Sequence, residues 1–163
     1  MRAGGVVIRP LSSLDETVAG LVDEATQEGF AFMRRLTSEW NEGSNRFDQA
    51  GEVYVGAFRC GVLVGVGGLN RDTHATGAVG RLRHVYIAKA ARRSGVGTAL
   101  VTNILQRAEG VFTHVRLRTD TRAAAAFYMR LGFQRSGEAE ATHVLRLPAL
   151  VGAVRSRSRS RDS

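Results

Sequence analysis

The sequence predicts an α/β protein with a mixed, mostly antiparallel sheet of about seven strands, flanked by about four helices. Strand and helix signals follow the order β-α-α-β-β-β-α-β-α-β-β along the chain. Three consecutive strands predict an antiparallel meander, and the β-α-β unit after it predicts one parallel crossover with helices on both faces. A doubly wound nucleotide-binding sheet would alternate strand and helix from its start, so this order excludes it. The length of 163 residues fits a single domain.

The N-terminal half of the chain predicts one strand, two helices and a hairpin. The first strand ends at Pro10, and Ser12 or Ser13 can cap the helix that follows. Apolar side chains recur at helical spacing up to Trp40, and residues 59–61 form a turn between two runs of β-forming residues. The predicted bounds are 6–11 for the first strand, 14–27 and about 30–40 for the helices, and 52–58 and 62–69 for the hairpin.

The C-terminal half predicts alternating strands and helices, followed by a last pair of short strands. Gly132 stops the final helix, and Pro148 ends the folded part of the chain. The predicted bounds are 81–87, 111–119, 133–136 and 141–147 for the strands, and 95–109 and 121–131 for the helices.

The composition is that of a globular protein, with 44% apolar and 23% charged residues, except for its charge. The formal net charge is +8, and 22 of the 23 basic residues are arginine. Three of these net charges lie in an Arg/Ser-rich tail over 151–163, which we expect to be disordered, leaving 1–150 as the folded domain. The arginine excess favours an anionic partner, although genomic base composition explains it equally well.

No apolar run approaches the roughly 18 residues of a membrane helix, so no membrane partner is expected. The start of the chain has too short an apolar stretch for a signal peptide. The single cysteine, Cys60, cannot form an internal disulfide, which suggests a reducing cytoplasm. Because Cys and His never cluster at ligand spacing, no metal site is expected either.

The most informative segment, 82–100, joins a strand to a helix through a basic, glycine-containing turn. Gly95 and Gly97 carry no Cβ, so backbone amides there can approach a ligand closely. The first N–H groups of a helix lack internal partners, and the helix dipole favours an anion at that end. With Arg92 and Arg93 beside them, these groups predict a site for a phosphate or pyrophosphate.

Two familiar phosphate motifs do not fit this turn. A P-loop has Lys and then Ser or Thr after its last Gly, whereas Gly97 is followed by Thr98 and Ala99. A dinucleotide-binding fingerprint has a third Gly where this chain has Leu100. The remaining Arg-x-x-Gly-x-Gly pattern is, on its own, also compatible with a glycine-rich helix start surrounded by solvated arginines.

A second motif lies one strand later, over 121–133. Together the two motifs resemble the GNAT superfamily of acyl-CoA-dependent N-acyltransferases, and the element order is similar over about 6–147. The resemblance therefore implies a GNAT-like fold. In the second motif the shared residues are Ala124, Phe127, Tyr128, Gly132 and Phe133.

The resemblance implies acetyl-CoA as the cofactor. Its pantetheine arm would lie along the strand before the turn, and the amides of the turn would hold the pyrophosphate. Many family members have Asn at the start of the last helix, where this chain has Thr121. The contact that this Asn makes with the cofactor is therefore not carried over to this chain. The cofactor-binding residues so implied are Val85, Tyr86, Ile87, Arg92, Arg93, Ser94, Gly95, Val96, Gly97, Thr98, Thr121, Ala124 and Phe127.

Tyr128 is the implied general acid, since a tyrosine at this position of the family often protonates the departing CoA thiolate. A phenol with a pKa of about 10 can donate to a thiolate of about 8.5 when the transfer is coupled to bond cleavage. The alternative is a core aromatic with a hydroxyl in water.

No residue is evident as the general base that takes a proton from the amine. The resemblance places the strand face of Arg81 and Arg83 nearer the acceptor. Strict alternation puts Val85 and Ile87 on that face too. His84 is a candidate base because a histidine has a suitable pKa, but the same alternation turns it to the opposite face with Leu82 and Tyr86. The alternatives left open are relay of the proton by water, or a carboxylate in or beside a loop: Asp48, Glu52 or Asp72.

Arginines at the cleft favour an acceptor with a carboxylate or phosphate over a lysine-rich protein tail. Arg83 is the candidate for that contact, and Phe47 and Asn70 are candidate walls of the acceptor site. The leading function is transfer of acetyl from acetyl-CoA to a primary amine, a small molecule, by direct attack in a ternary complex.

Two other classes of function are weighed beside it. A catalytically inactive acyl-CoA-binding sensor or partner module would need no base, but the presence of Tyr128 argues against it. The net charge of +8 suggests a nucleic-acid binder, but no basic patch is interleaved with aromatics, so no specific nucleic-acid partner is expected. The exposed edges of such a sheet leave a homodimer open.

Overall fold

The computed structural model describes residues 5–148, so the tail predicted over 151–163 lies outside the described residues. Within them, seven strands form one sheet and four α-helices pack on it, which confirms the predicted fold class. No helix of this part of the chain is long and apolar enough to cross a membrane. The elements are β1 (Val6–Pro10), α1 (Glu16–Gln27), α2 (Phe32–Glu42), β2 (Val53–Arg59), β3 (Val62–Arg71), β4 (Val79–Ile87), a 3₁₀ turn (Lys89–Ala91), α3 (Val96–Ala108), β5 (His114–Leu117), α4 (Arg122–Arg130), β6 (Gln134–Arg135) and β7 (His143–Arg146).

Helix α1 starts two residues later than predicted, and its cap is Asp15 rather than Ser12 or Ser13. The Asp15 carboxylate accepts the backbone N–H of Thr17 at 3.0 Å and that of Val18 at 3.3 Å. A carboxylate at this position also interacts favourably with the helix dipole, which a serine hydroxyl does not match.

The strands run in the order β1-β2-β3-β4-β5-β7-β6 across the sheet. Every neighbouring pair is antiparallel except β4 and β5, which are parallel and are joined through α3. This is the predicted meander followed by one crossover.

The helices divide the core into two clusters, one on each face of the sheet. On one face α3 contributes Leu100 and Ile104, both fully buried, to a cluster that also includes Tyr128 of α4. On the other face α1 and α2 pack on the sheet, with Met33 and Leu36 of α2 fully or almost fully buried. The functional features described below lie between these two layers.

The middle of the sheet opens because β4 and β5 pair over a short length. Their ladder covers only Val79–Arg81 of β4, although β4 continues to Ile87. On its other edge β4 stays paired with β3 up to Ile87. The backbone groups of β4 after Arg81 that point towards β5 are therefore left without a strand partner within the described residues.

Strand β4 contains a bulge that overturns the predicted alternation of its side chains. Arg83 pairs with Gly68 and Tyr86 with Val66, so two residues of β4 stand opposite the single Gly67. The bulge coincides with His84, whose φ is 53°. The prediction that His84 points away from Arg83 was therefore wrong, because the extra residue shifts the pattern by one. Leu82, Val85 and Ile87 belong to the α3 side of the core, while Arg83 reaches Glu39 of α2 and the ring of His84 lies near Phe32.

Candidate active site

A cavity of about 1390 Å³ opens where β4 and β5 diverge. One end is formed by the start of α3 and by α4, and we name it the α3 end. The other end, named the α2 end, is formed by α2, the loop 43–52 and the adjoining ends of β3 and β4. The cavity thus offers two adjoining compartments along the free edge of β4.

The α3 end is built around a helix start that no side chain caps. Gly95 is the N-cap residue with a φ of 84°, and a Cβ added to it would meet no heavy atom within 4 Å. The N–H groups of the first turn are therefore available to a ligand, and the helix dipole favours an anionic one. Arg93, also left-handed with a φ of 61°, lines the cavity beside it.

Most residues predicted to bind the cofactor line this one cavity. Ser94 and Val96 do not: Val96 is 1% exposed in the core, and the Ser94 hydroxyl donates to the Ala91 carbonyl at 2.5 Å. The Val96 side chain is thus unavailable to a ligand, whereas Ser94 is exposed beside the cavity. The predicted residues in the lining are Val85, Tyr86, Ile87, Arg92, Arg93, Gly95, Gly97, Thr98, Thr121, Ala124 and Phe127.

Arg92 is held by helix α1. Its guanidinium donates to both carboxylate oxygens of Glu28, at 2.9 and 2.5 Å, and lies over the ring of Tyr86. The Tyr86 hydroxyl also contacts Glu28 and donates to Glu24 at 2.6 Å. The hydrogen bonds from Arg92, with a smaller effect of the shared Tyr86 hydroxyl, lower the pKa of Glu28 to about 2. The side chains of Arg92 and Tyr86 therefore tie α1 to the turn, a role that sequence analysis missed because Glu28 is distant in the chain.

Helix α4 closes the other wall of the α3 end. The Thr121 hydroxyl caps it by accepting the N–H of Ala124 at 3.1 Å. A Cβ placed on Gly97 would lie only 3.3 Å from the ring of Phe127. Gly97 therefore allows α3 and α4 to approach each other, besides leaving its own amide uncovered.

Tyr128 also lines the cavity and is 8% exposed. Its ring packs edge-on against Phe127 and Phe133, with centroid distances of 5.0 and 5.6 Å. Burial raises the pKa of Tyr128 above the ordinary value of a phenol. The hydroxyl therefore stays protonated at neutral pH, as a proton donor requires.

The α2 end has a polar wall held together by amides. Asn45 and Asn70 donate to each other's carbonyl oxygens, both at 2.9 Å, and Asn70 also donates to Glu52 at 2.9 Å. Asn70 lines the cavity as predicted, and so do Glu52 and Asp48. Both carboxylates remain candidates for the general base.

The structure corrects the expected position of Phe47. Its φ is 54°, it is 4% exposed, and it lies outside the cavity lining. Its ring packs on Tyr54 with a centroid distance of 5.0 Å, and a Cβ at Gly68 would overlap it at 2.3 Å. Because Gly68 leaves room for the ring, Phe47 turns into the core rather than forming a wall.

Arg83 lines the α2 end and forms an ion pair with Glu39 of α2 at 3.4 Å. Arg35, one helical turn before Glu39, lines the same compartment and is exposed. The sequence did not single out Arg35, and strict alternation along β4 placed the His84 side chain on the face opposite Arg83. Residues on one face of a regular strand are an even number of positions apart. Leu82 and Val85 are both apolar and three positions apart, which could have indicated the bulge.

Asp72 cannot serve as the general base, because two arginines hold it outside the cavity lining. Its carboxylate accepts from Arg116 at 2.8 Å and Arg81 at 3.2 Å, with the side chain fully buried. The backbone N–H of His74 donates to it at 2.9 Å. Burial alone would raise the pKa of Asp72, but the hydrogen bonds of Arg116 and His74 outweigh it, and the pKa is lowered.

The α3 end suits a long ligand with an anionic group at one end and a polar chain that pairs with a strand. The cavity continues from the α3 end to the α2 end, with Tyr128 in its lining. This arrangement suits a transferase that brings an anionic coenzyme and a second substrate together.

The family model of the Acetyltransferase (GNAT) family matches residues 18–133, well over half of the chain. The chain belongs to this family. The N-alpha-acetyltransferase RimI of Mycobacterium tuberculosis is 33% identical over 107 residues, which are 66% of this chain and 61% of RimI. A protein of Mycobacterium leprae is 31% identical over 107 residues, 27% of its length. The chain thus covers less than two thirds of both relatives.

Solved structures of this family share the fold. An acetyltransferase-type protein from Exiguobacterium sp. 255-15 has a TM-score of 0.78 and 28% identity, covering 97% of this chain and 99% of its own. YhbS of Escherichia coli, solved in complex with CoA, has a TM-score of 0.67 and 19% identity, and the likeness covers 91% of this chain and 84% of YhbS. The second likeness shows the fold alone.

Proposed function

We propose that this protein transfers the acetyl group of acetyl-CoA to the primary amine of a small acceptor, by direct attack in a ternary complex. The observation that carries the proposal is the single cavity that joins the uncapped start of α3, the free edge of β4 and Tyr128. Acetyl-CoA supplies the thioester that the amine attacks. The α3 end would bind it, and the α2 end would bind the acceptor.

The roles of the chain's own groups follow from their positions. The amides at the start of α3 would hold the pyrophosphate, with Arg93 supplying positive charge. Backbone N–H groups of 85–87 would polarise the thioester carbonyl. Tyr128, protonated and buried, would donate its proton as the thiolate departs.

The acceptor we propose carries an acidic group close to its amine. Arg35 and Arg83 line the α2 end, and a guanidinium favours carboxylate or phosphate while repelling a polycation. The ion pair of Arg83 with Glu39 uses one contact at 3.4 Å and leaves most of its N–H donors for a ligand.

A second acceptor class is the α-amino group of a peptide. It is favoured by the identity of 33% to a relative that is an N-alpha-acetyltransferase. A peptide α-amine has a carbonyl oxygen where a free amino acid has a carboxylate, so the two classes compete for one site. A screen that contains both resolves them.

The first test is ligand-induced stabilisation followed by turnover. Acetyl-CoA at 100 times its dissociation constant should stabilise the protein by about 2.7 kcal/mol, which raises Tm by roughly 5–10 °C. ATP at the same concentration serves as a control that lacks the pantetheine arm. Thiol release in the presence of amine panels then identifies acceptors. No stabilisation by millimolar acetyl-CoA would overturn the proposal, and stabilisation without turnover by any amine would favour the inactive sensor.

Gly95 allows a sharp test of the pyrophosphate site. Gly95→Asp places a carboxylate in open space beside the proposed pyrophosphate, and affinity for CoA should fall on the order of a hundredfold, about 2.8 kcal/mol. Gly95→Asn is the matched control, because Asn tolerates the left-handed φ of 84° equally well and has no charge. Calorimetric titration with CoA measures both variants. Equal affinities for Asp and Asn would remove the pyrophosphate from this turn.

A further inference from the structure

His84 has a backbone conformation that a side chain disfavours. Its φ of 53° lies in the left-handed region, within the bulge opposite Gly67. Such residues persist where the surrounding structure holds them, and they concentrate at functional sites. Here the strain turns the imidazole towards the α2 layer, beside Arg83.

The imidazole is buried without a hydrogen-bond partner. His84 is 7% exposed and lines the cavity, and neither Nδ1 nor Nε2 has a partner among the described residues. Buried polar groups in proteins are almost always paired, so two unpaired ring nitrogens in a cavity wall point to a ligand. Phe32, whose ring centroid is 6.4 Å away, lines the same cavity and is 37% exposed.

The charges around His84 define what that ligand is. Burial and the nearby charge of Arg83, with a smaller contribution from Arg35, lower the pKa of His84 to about 3. A contact of the ring with the Phe32 backbone, which does not meet hydrogen-bond geometry, opposes this shift. The imidazole is therefore neutral at physiological pH and keeps one N–H donor. A neutral donor that shares a cavity wall with two arginines suits an oxyanion, and Glu39 pairs with only one of them, Arg83.

The position of His84 limits the size of the ligand. Val85 is its neighbour in the chain, and both residues line the cavity. The His84 ring therefore lies about one side chain's length from the backbone that we propose binds the thioester. An acceptor that reaches both sites at once carries its amine and its acidic group on one short chain.

We infer that His84 binds an oxyanion of the acceptor through its ring N–H, with Arg83 and Arg35 supplying charge, and thereby selects small amines whose acidic group lies a few bonds away. This assignment rests on the proposed acetyl transfer and names its substrate class. The oxyanion is a carboxylate, as in an amino acid, or a phosphate, as in an aminoalkyl phosphate.

The test is binding of matched amines to the full chain, with and without CoA. The probes are α-amino acids against their carboxamides, and aminoethyl phosphate against ethanolamine. Each pair keeps the amine and changes the oxyanion, and the two pairs distinguish carboxylate from phosphate. Calorimetry gives affinities, and imidazole ¹H–¹⁵N correlation spectra show whether the ring nitrogens of His84 respond.

We expect at least one anionic probe to bind better than its neutral partner and to shift the His84 ring signals. His84→Leu should weaken that binding roughly ten- to hundredfold, and His84→Gln, which retains an N–H donor at similar reach, should restore most of it. Leu and Gln share the same backbone strain at a φ of 53°, so their difference isolates the hydrogen bond. Unchanged CoA affinity and similar Tm values show that both variants are folded.

Equal binding of anionic and neutral probes, or equal affinities of the Leu and Gln variants, would overturn the assignment. If CoA fails to bind while a probe still binds through His84, the acetyl-transfer proposal fails and the oxyanion site stands. If CoA binds and other amines are acetylated but no anionic probe binds, the transfer stands and the His84 assignment fails.

Discussion

Replacing Tyr128 by Phe is expected to lower kcat by about 10²–10⁴-fold, the usual contribution of a positioned general acid. The ring stays in its contacts with Phe127 and Phe133, so only the hydroxyl is lost. Because burial raises the pKa of Tyr128, the wild-type hydroxyl is protonated throughout the range in which the enzyme would be assayed. Steady-state kinetics with an acceptor found in the amine screen measures the effect.

Tyr54→Phe is a matched control for this substitution. It removes the hydroxyl of a buried tyrosine outside the cavity lining, whose hydrogen bond to the His84 carbonyl is long at 3.3 Å. We expect a stability loss of about 1 kcal/mol and little change in kcat. Acetyl-CoA should stabilise both variants as it does the wild type. A Tyr128→Phe variant with wild-type kcat would show that the thiolate takes its proton from elsewhere.

Replacing Asp72 by Asn is expected to lower the free energy of unfolding by about 3–5 kcal/mol, because it leaves two arginines without their carboxylate in a buried network. Arg116 is 6% exposed in its side chain and also contacts Glu138, while Arg81 donates to the Glu140 carbonyl at 2.6 Å. The network therefore joins β4, β5 and the segment before β7. At about 2–4 °C per kcal/mol for a chain of this size, Tm should fall by roughly 10 °C.

The pH dependence of this effect has a definite sign. The pKa of Asp72 is lowered on folding, so its contribution to stability is present above its ordinary value of 3.8 and is lost as the pH falls below it. Urea unfolding of wild type and Asp72→Asn should therefore differ most near pH 7 and converge in acid. Asp48→Asn is the control: the only hydrogen bond of its side chain within the described residues is accepted from the neighbouring Gln49, and such surface changes stay within about 0.5 kcal/mol. If Asp72→Asn lowers the free energy of unfolding at pH 7 by no more than Asp48→Asn does, the network does not stabilise the fold as expected.

Much of the fold was predictable because its signals are local. The order of strands and helices follows from hydrophobic periodicity and turn residues, and it implied the meander and the single crossover that the sheet shows. The uncapped helix start at Gly95 was predictable from the Arg-x-x-Gly-x-Gly turn, because the glycine and the missing capping side chain are local features of the sequence. The cap of α1 was missed by a few residues, since Ser12, Ser13 and Asp15 are all good caps and only packing selects among them.

The arrangement of side chains at the α2 end depends on contacts between distant segments of the chain, which no local sequence pattern encodes. Strict alternation along β4 failed at His84, because a bulge opposite Gly67 shifts every side chain on one side of it. Phe47 lies in a polar loop, yet Gly68 on a distant strand leaves space that draws its ring into the core.

By itself the sequence determined the fold class, the family and the uncapped turn at Gly95 that we propose binds the cofactor, because each depends on residues close together in the chain. Only the tertiary structure decided which charges are already paired. Glu28 holds Arg92, and Asp72 holds Arg81 and Arg116. Whether a charged side chain is free for a substrate depends on which partner the fold brings within hydrogen-bond distance, and those partners are separated by many residues of chain.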